Sequence, residues 1–504
     1  MFSRYELRLQ LFVVAFMLLY YGALITNGTF NFLQSDPDWS CQKASNCATW
    51  FGLTFNSMLE HLLHGHFDVD PETVGSEGFL RDGRVYAYWG IFCAVIRLPL
   101  LAFKSGLTTD VTRLSCLIAI CFAGAMKFRA ALFVRRYCQP CPVSDWAFVL
   151  LTIYIVLGGA QVGYLNATLF QEVILWAAAL GAAFVYCAVK GLILARFTPG
   201  LLSLMALLAG LAILTRVSTG LGLYVATGLL LLALIIDAAV RNESVSRRSL
   251  AGRLLTAILS WQVLAPTAIL VGFLVATGLV NLFRWGSPTT FADYSLYLKN
   301  IFYTDRLPRM YTYGLFNIAR IPFGLGYFFA PIWVFEGADG KLLFEAEQTR
   351  LFDAVELPPS SFFLTDLLPI VFIVFLAASI RRPQFFRPIA LGQLLALVAG
   401  LAVPCVLMLT AIYAAYRYRM EFYPEIDLLA FLGFYAAASS AGVAILHRYR
   451  SWTTAATLIS IISAHGMLLL YNHSPGGQAQ PYLHHWWLRG SSVLQDAVTS
   501  IKFR

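Results

Sequence analysis

The hydrophobic positions of this chain come in long unbroken runs, not in the alternating or every-third-residue patterns of a soluble strand or helix. Leu9–Ile25, Ala147–Gly163, Leu201–Leu214 and Thr454–Tyr471 are the clearest. A helix needs about 20 apolar residues to cross the hydrocarbon of a bilayer, so these runs predict membrane-spanning helices. The pattern places eleven, near 9–26, 112–133, 146–163, 168–189, 200–215, 218–236, 256–280, 365–380, 388–412, 426–446 and 453–471. The chain divides accordingly into a first module, 1–281, carrying a long polar loop at 27–111; a second loop, 282–364; the helices of 365–471; and a tail, 472–504.

One apolar stretch, Val85–Phe103, decides the orientation of everything after it. Read as a span, it would put Lys190, Arg196, Arg241, Arg247, Arg248 and Arg253 outside, against the rule that short cytoplasmic loops carry the excess of Lys and Arg. It also contains Arg97 and Pro99, with Gly83 and Gly90 near its start. We therefore read it as an interfacial or re-entrant segment against the outer face, where surrounding protein tolerates broken backbone. Arg4, Arg8 and the loops Arg381–Arg387 and His447–Arg450 then face the cytoplasm. The first run becomes an uncleaved anchor, and the long loops and the C-terminus lie outside. The expected location is the inner membrane of a bacterium, with the chemistry on its periplasmic face.

Composition agrees with a polytopic membrane protein. Charged residues are 12% of the chain and apolar ones 59%, against about 25% and 45–50% in a soluble domain. A soluble enzyme, a nucleic-acid-binding domain and a disordered scaffold are excluded. The net charge of +9 follows from membrane orientation, so no nucleic-acid partner is expected. There is no G-x-x-x-x-G-K-[ST] loop; Gly337–Lys341 (GADGK) lacks its Ser or Thr and reads as a turn. A reactive substrate should therefore arrive already activated, in the membrane.

The outer loops carry the polar clusters. His61–Tyr88 brings together Asp68, Asp70, Glu72, Glu77, Asp82, Arg81 and Arg84. Carboxylates at the membrane surface can take a proton from a hydroxyl, and guanidinium groups can hold a phosphate. Asp70 precedes Pro71 and Glu72, the pattern of a helix N-cap; Asp68 has no such role. His64 and His66 are the histidines that would join a carboxylate if a divalent cation binds, although their spacing matches no defined metal signature and no cofactor is expected. Arg417, Arg419, Glu421 and Tyr423 form a second cluster, read either as a lipid-headgroup site or as an aromatic belt with snorkelling arginines. Glu172 opens a span at a costly position, which a helix N-terminus makes cheaper. Cys41 and Cys47, on an oxidising side, are expected to form a disulfide. The spans themselves show almost no charge at their centres.

The order of parts resembles the membrane-embedded GT-C glycosyltransferases, among them protein mannosyltransferases and lipid A aminoarabinose transferases. The shared plan is a first span, a long outer loop with an acidic catalytic residue, membrane-lying helices, then the second span. Leu53–Gly65 (LTFNSMLEHLLHG) and His66–Pro71 (HFDVDP) resemble the loop helix and acidic turn. Asp82–Pro99 (DGRVYAYWGIFCAVIRLP) resembles the membrane-lying segment. Where protein mannosyltransferases place an acidic pair before the loop helix, this chain has Ala48, Thr49 and Trp50, and their His-Pro-Pro motif is absent. The match is more similar to an uncharacterised bacterial branch.

The resemblance implies an all-α GT-C-like bundle of about 11 transmembrane helices. It implies an inverting hexosyl- or pentosyltransferase that takes its sugar from a polyprenyl-phosphate donor. The acceptor would be a glycan, a lipid or a protein. Asp68 is the first candidate for the catalytic base, ahead of Asp70 and Asp82, and Arg81, Arg84, Arg417, Arg419, Glu421 and Tyr423 are candidates for the donor phosphate. The competing readings are an O-antigen-type polymerase or ligase leaning on outer arginines, and a lipid-linked glycan flippase or transporter. Transport predicts ionisable groups at mid-membrane.

Overall fold

The structure is a computed structural model, and it describes residues 4–33, 51–138, 142–159, 167–241, 249–330, 350–355, 360–380, 390–439 and 443–473. These form nineteen α-helices and four short strands. The chain is an all-α polytopic membrane protein. Six helices are long and apolar enough to cross a bilayer by length and composition: Arg4–Ile25 (α1), Thr112–Tyr137 (α5), Leu169–Ile193 (α7), Val217–Arg241 (α9), Trp261–Trp285 (α11) and Leu391–Thr410 (α16). Shorter apolar helices are Pro142–Leu157 (α6), Pro199–Ile213 (α8) and Leu367–Ile380 (α15). Tyr423–Ala437 (α17) and Arg450–His473 (α19) occupy the last two expected spans.

Local chemistry sets several ends. Pro199 starts α8 at a position that needs no N–H, and the Thr198 hydroxyl accepts from Leu201 N. The expected span 256–280 divides into a short helix, Leu250–Ile258 (α10), which buries no residue, and α11. The expected span 426–446 is likewise two pieces, because α17 ends at Ala437 and a separate helix, Val443–Arg448 (α18), follows.

The bundle packs α5 along α7, α9 along α16, and α15 along α17. The α9–α16 contact is close because Gly400 faces Ala226; a Cβ on Gly400 would stand 2.2 Å from the Ala226 backbone. Small residues of this kind let helices approach inside a membrane.

The expectation of almost no charge at span centres meets an exception in Lys127. Lys127, midway along α5, lies 3.0 Å from Asp427 of α17, with the two side chains 10% and 8% exposed. Arg419 and Asp366 form a second pair at 2.7 Å, both fully buried.

The long loop begins with Thr54–Leu63 (α2) and Pro71–Val74 (α3), followed by the hairpin of Phe79–Arg81 (β1) and Arg84–Tyr86 (β2), in the register Phe79↔Tyr86, Leu80↔Val85, Arg81↔Arg84. Its two-residue turn, Asp82-Gly83, has φ +53° and +75°, the left-handed pair that Asp-Gly adopts readily in hairpins. After β2, residues 87–103 hold only short helical pieces, Phe92–Val95 (α4) and the 3₁₀ turn Leu98–Ala102. They lie against the bundle, as read from the loop charges. Phe92 N donates to Leu214 O (2.9 Å) and Gly90 N to Thr215 O (3.3 Å). A Cβ on Gly90 would sit 1.9 Å from the Leu214 carbonyl oxygen, so only glycine fits. Residues 27–33 and 51–111, the start of α7, residues 214–216, the end of α11 and residues 411–422 thus gather at one end of the bundle, the loop end. Cys41 and Cys47 lie outside the described residues.

Candidate active site at the loop end of the bundle

The acidic turn is built by α2 and the strand after it. His61, in the last turn of α2, lies between two carboxylates: its Nδ1 is 3.4 Å from Asp68 Oδ1 and its Nε2 is 3.2 Å from Asp70 Oδ1. Ser57, one turn earlier, donates to Asp70 Oδ2 (2.7 Å) and accepts from Asp70 N (2.9 Å). The side chain of Asp70 therefore does not cap α3; the capping role expected from Asp-Pro-Glu gives way to Ser57 and His61, which sequence spacing did not single out. Asp68 is 15% exposed and Asp70 44%. Arg84 approaches Asp68 at 3.7 Å and donates to His66 Nδ1 at 3.2 Å. Val69 N donates to Val85 O (2.8 Å), which fixes the acidic turn to β2.

Asp82 stands apart on the hairpin tip, 80% exposed, paired with the neighbouring Arg81 at 3.2 Å. Arg81 itself donates to the Arg284 carbonyl at 3.0 Å. Arg81 thereby seats the hairpin on the end of α11. His64 turns its Nδ1 back to the Glu60 carbonyl (2.8 Å), so it does not join His66. Among the described residues no three His, Cys, Asp or Glu side chains group as metal ligands.

A basic and aromatic wall follows along the strand. From Val85 the chain reaches Tyr88 three residues on, about 10 Å at the rise of a strand. Burial pushes the Tyr88 phenol well above its ordinary value, and it lies within electrostatic range of Tyr418, Tyr294, Glu77 and Arg216. Arg216, between α8 and α9, donates to Glu421, which also accepts from Ser218 (2.7 Å) and Thr219 (2.5 Å). Arg417 lies over the rings of Phe170, Tyr413 and Tyr418, 5.2–5.7 Å from their centres. Phe170 meets Trp89 edge to face at 5.6 Å. Glu77 accepts from Tyr297 and from Lys299 (2.5 Å).

Two of the residues expected at the donor phosphate are elsewhere. Arg419 is sealed in the bundle, where it donates to Tyr416, to Thr365 Oγ1 (2.5 Å) and to Asp366 Oδ2 (2.7 Å), with its guanidinium over Phe362. Tyr423 donates to the same Asp366 at 2.9 Å. They join segment 411–423 to the helices around it. Glu421 sits between these groups as the acceptor for Arg216. The residues that the sequence reading missed here are His61, Ser57, Arg216 and Asp366. Only His61, beside an acidic turn, carried a visible signal.

No family model matches the chain, and no curated protein matches it by sequence. Among solved structures, the apo oligosaccharyltransferase of Archaeoglobus fulgidus overlaps 93% of this chain and 57% of its own, at 12% identity and a TM-score of 0.48. The oligosaccharyltransferase AglB from the same archaeon, in complex with an inhibitory peptide and a dolichol-phosphate, overlaps 93% and 56% at 12% identity and 0.45. ArnT from Cupriavidus metallidurans bound to undecaprenyl phosphate overlaps 93% and 76% at 13% identity and 0.39. The chain thus spans little more than half the length of the archaeal enzyme. What the chain does is therefore read from its own residues.

Proposed function

We propose that this chain, laid out on the GT-C plan of first span, long loop with an acidic turn, bundle-hugging segment and second span, is a membrane glycosyltransferase. It moves a sugar from a polyprenyl-phosphate donor to an acceptor at the loop face, which lies outside the cytoplasm. The observation that carries this reading is a carboxylate pair, Asp68 and Asp70, with Arg84 3.7 Å from Asp68, at the same end of the bundle as the basic, aromatic wall of Arg216 and Arg417.

Asp68 takes the proton of the acceptor hydroxyl as its oxygen attacks the anomeric carbon. The bond from that carbon to the phosphate oxygen breaks, and its electron pair leaves with the lipid phosphate. Arginines already in place stabilise that developing charge. Attack opposite the leaving phosphate inverts the anomeric centre. Arg417, stacked on three rings, is pre-oriented for a planar, bidentate contact.

The transport reading draws on Lys127 and Asp427 inside the membrane. That pair is closed on itself at 3.0 Å and nearly buried, so it ties α5 to α17. Purified protein incubated with a panel of polyprenyl-phosphate sugars should release free lipid phosphate. No turnover with any donor, together with solute flux in liposomes, would replace this reading with transport.

A further inference from the structure

His61 is the residue of the acidic turn whose surroundings ask for an explanation. A neutral imidazole has one N–H donor and one lone pair, yet both ring nitrogens of His61 face carboxylate oxygens. The two contacts are unequal. Nε2 lies at hydrogen-bond distance from Asp70 Oδ1, 3.2 Å, and Asp70 is held by two further hydrogen bonds with Ser57. Nδ1 lies 3.4 Å from Asp68 Oδ1, and that oxygen is buried with no hydrogen-bond donor. A buried acceptor without a donor has lost its water and gained nothing in return.

We propose that His61 is a positioning residue that carries its proton on Nε2, fixed there by Asp70, and presents the Nδ1 lone pair to Asp68 as a receiver for the proton of the reaction. This rests on the reading of Asp68 as the base. At rest Arg84 stands 3.7 Å from Asp68, and the lone pair of Nδ1 lies opposite its bare oxygen. Once the acceptor hydroxyl gives its proton to Asp68, the mismatch becomes an O–H···Nδ1 hydrogen bond. The acceptor oxygen has by then bonded to the anomeric carbon, and the lipid phosphate has left with the electron pair. The proton then moves to Nδ1 while Nε2–H stays on Asp70, and the imidazolium, 24% exposed, gives its Nδ1 proton to water. That restores the bare Nδ1, so each turnover delivers one proton to solvent and one negative charge to the departing phosphate.

Among the described residues, the ionisable groups beside His61 are Asp68 and Asp70, with Arg84 behind Asp68 and His66 behind Arg84.

The test begins with nitrogen-15 resonances of histidine-labelled wild-type protein at neutral pH, with His61 assigned by its loss in His61→Gln. A bare Nδ1 and a protonated Nε2 are expected; an Nδ1–H tautomer or an imidazolium overturns the proposal. His61→Gln keeps a donor toward Asp70 but offers Asp68 no lone-pair nitrogen. It should lower kcat by about 10²-fold, the lower end for a positioned acid–base group, and leave the donor KM unchanged. A folded variant with wild-type kcat overturns the proposal, and if the variant does not fold, the wild-type protein's tautomer decides, with His61 assigned by sequence-specific resonance experiments. Wild-type protein inactive with every donor overturns the glycosyltransferase reading alone, because the tautomer is read without turnover.

Discussion

Arg97 in the bundle-hugging segment reaches Glu172 in the first turn of α7, NH2 to Oε2 2.7 Å, with 2% and 0% of the two side chains exposed. Arg97 also donates to Gly52 O (3.2 Å) and to Thr112 Oγ1 (3.3 Å) and holds Asn56. Asn56 in turn donates to the carbonyls of Leu107 and Thr109 (2.8 Å each). An arginine inside an apolar run and an acid at the start of a span thus account for each other.

Breaking that pair should destabilise the protein more than any surface change. Arg97→Ala leaves a buried carboxylate without its cation, a loss of about 3–5 kcal/mol. Glu172→Ala should act similarly, and Arg97→Met with Glu172→Leu should recover much of the loss. Thermal unfolding in detergent measures all three; single mutants that melt like wild type would remove the pair from the stabilising contacts.

Asp68→Asn keeps the size of the side chain and removes the base, so turnover should drop by about 10²–10⁴-fold with donor binding intact. Asp82→Asn, on an exposed turn, should retain normal turnover. If instead Asp68→Asn and Asp70→Asn both remain fully active, the carboxylate mechanism goes, and a polymerase or ligase working through arginines takes its place.

Arg417 and Arg419 are two residues apart and should behave oppositely. Arg417→Lys should raise the donor KM, because an ammonium cannot copy a stacked, bidentate guanidinium, and should leave the melting temperature near wild type. Arg419→Lys should lower the melting temperature through its lost contacts to Thr365 and Asp366. Equal effects of both changes on donor affinity would contradict the separation.

A cysteine at the exposed Ser105 should react with an impermeant thiol reagent added from the side of the loops. Labelling from the cytoplasmic side alone would invert the orientation of every later loop.

Alkaline pH supplies a further check. Burial and the neighbouring Glu77 raise the Tyr297 phenol well above its ordinary 10. The folded protein keeps this proton where the unfolded chain has lost it, so the contribution is complete below about pH 10 and is lost as pH rises further. Tyr297→Phe should soften the fall in melting temperature above that pH; an unchanged slope would assign the fall to other groups.

The bundle was largely legible because an apolar run announces a helix without reference to any partner. Charge in short loops sufficed to lay Val85–Phe103 against the bundle. Pairing between distant segments was not legible. Lys127 disappears within the average hydropathy of α5, and its partner Asp427 lies 300 positions away in the chain. Asp70 shows the same limit at short range: Asp-Pro-Glu specifies a cap locally, but Ser57 and His61, delivered by a helix running alongside, compete for the same carboxylate. Arg419 and Arg417 look equivalent in sequence, and only the turn of the 3₁₀ stretch Tyr416–Phe422 sends one inward and the other to the rim.

Helix α8 has 15 residues, against 26 and 25 in α5 and α7, and turns Leu204 and Leu207 outward. At 1.5 Å per residue it is about 22 Å long, less than the ~30 Å of a typical hydrocarbon core. Lipid beside it would have to compress or tilt to match, at a fraction of a kcal/mol per ångström. We predict that the protein works in a dimple of its own making, where lipid headgroups sit deeper than elsewhere in the leaflet. Activity reconstituted in bilayers of graded acyl length should then peak in the thinner ones; indifference to thickness would mean that the protein, and not the lipid, fills the step.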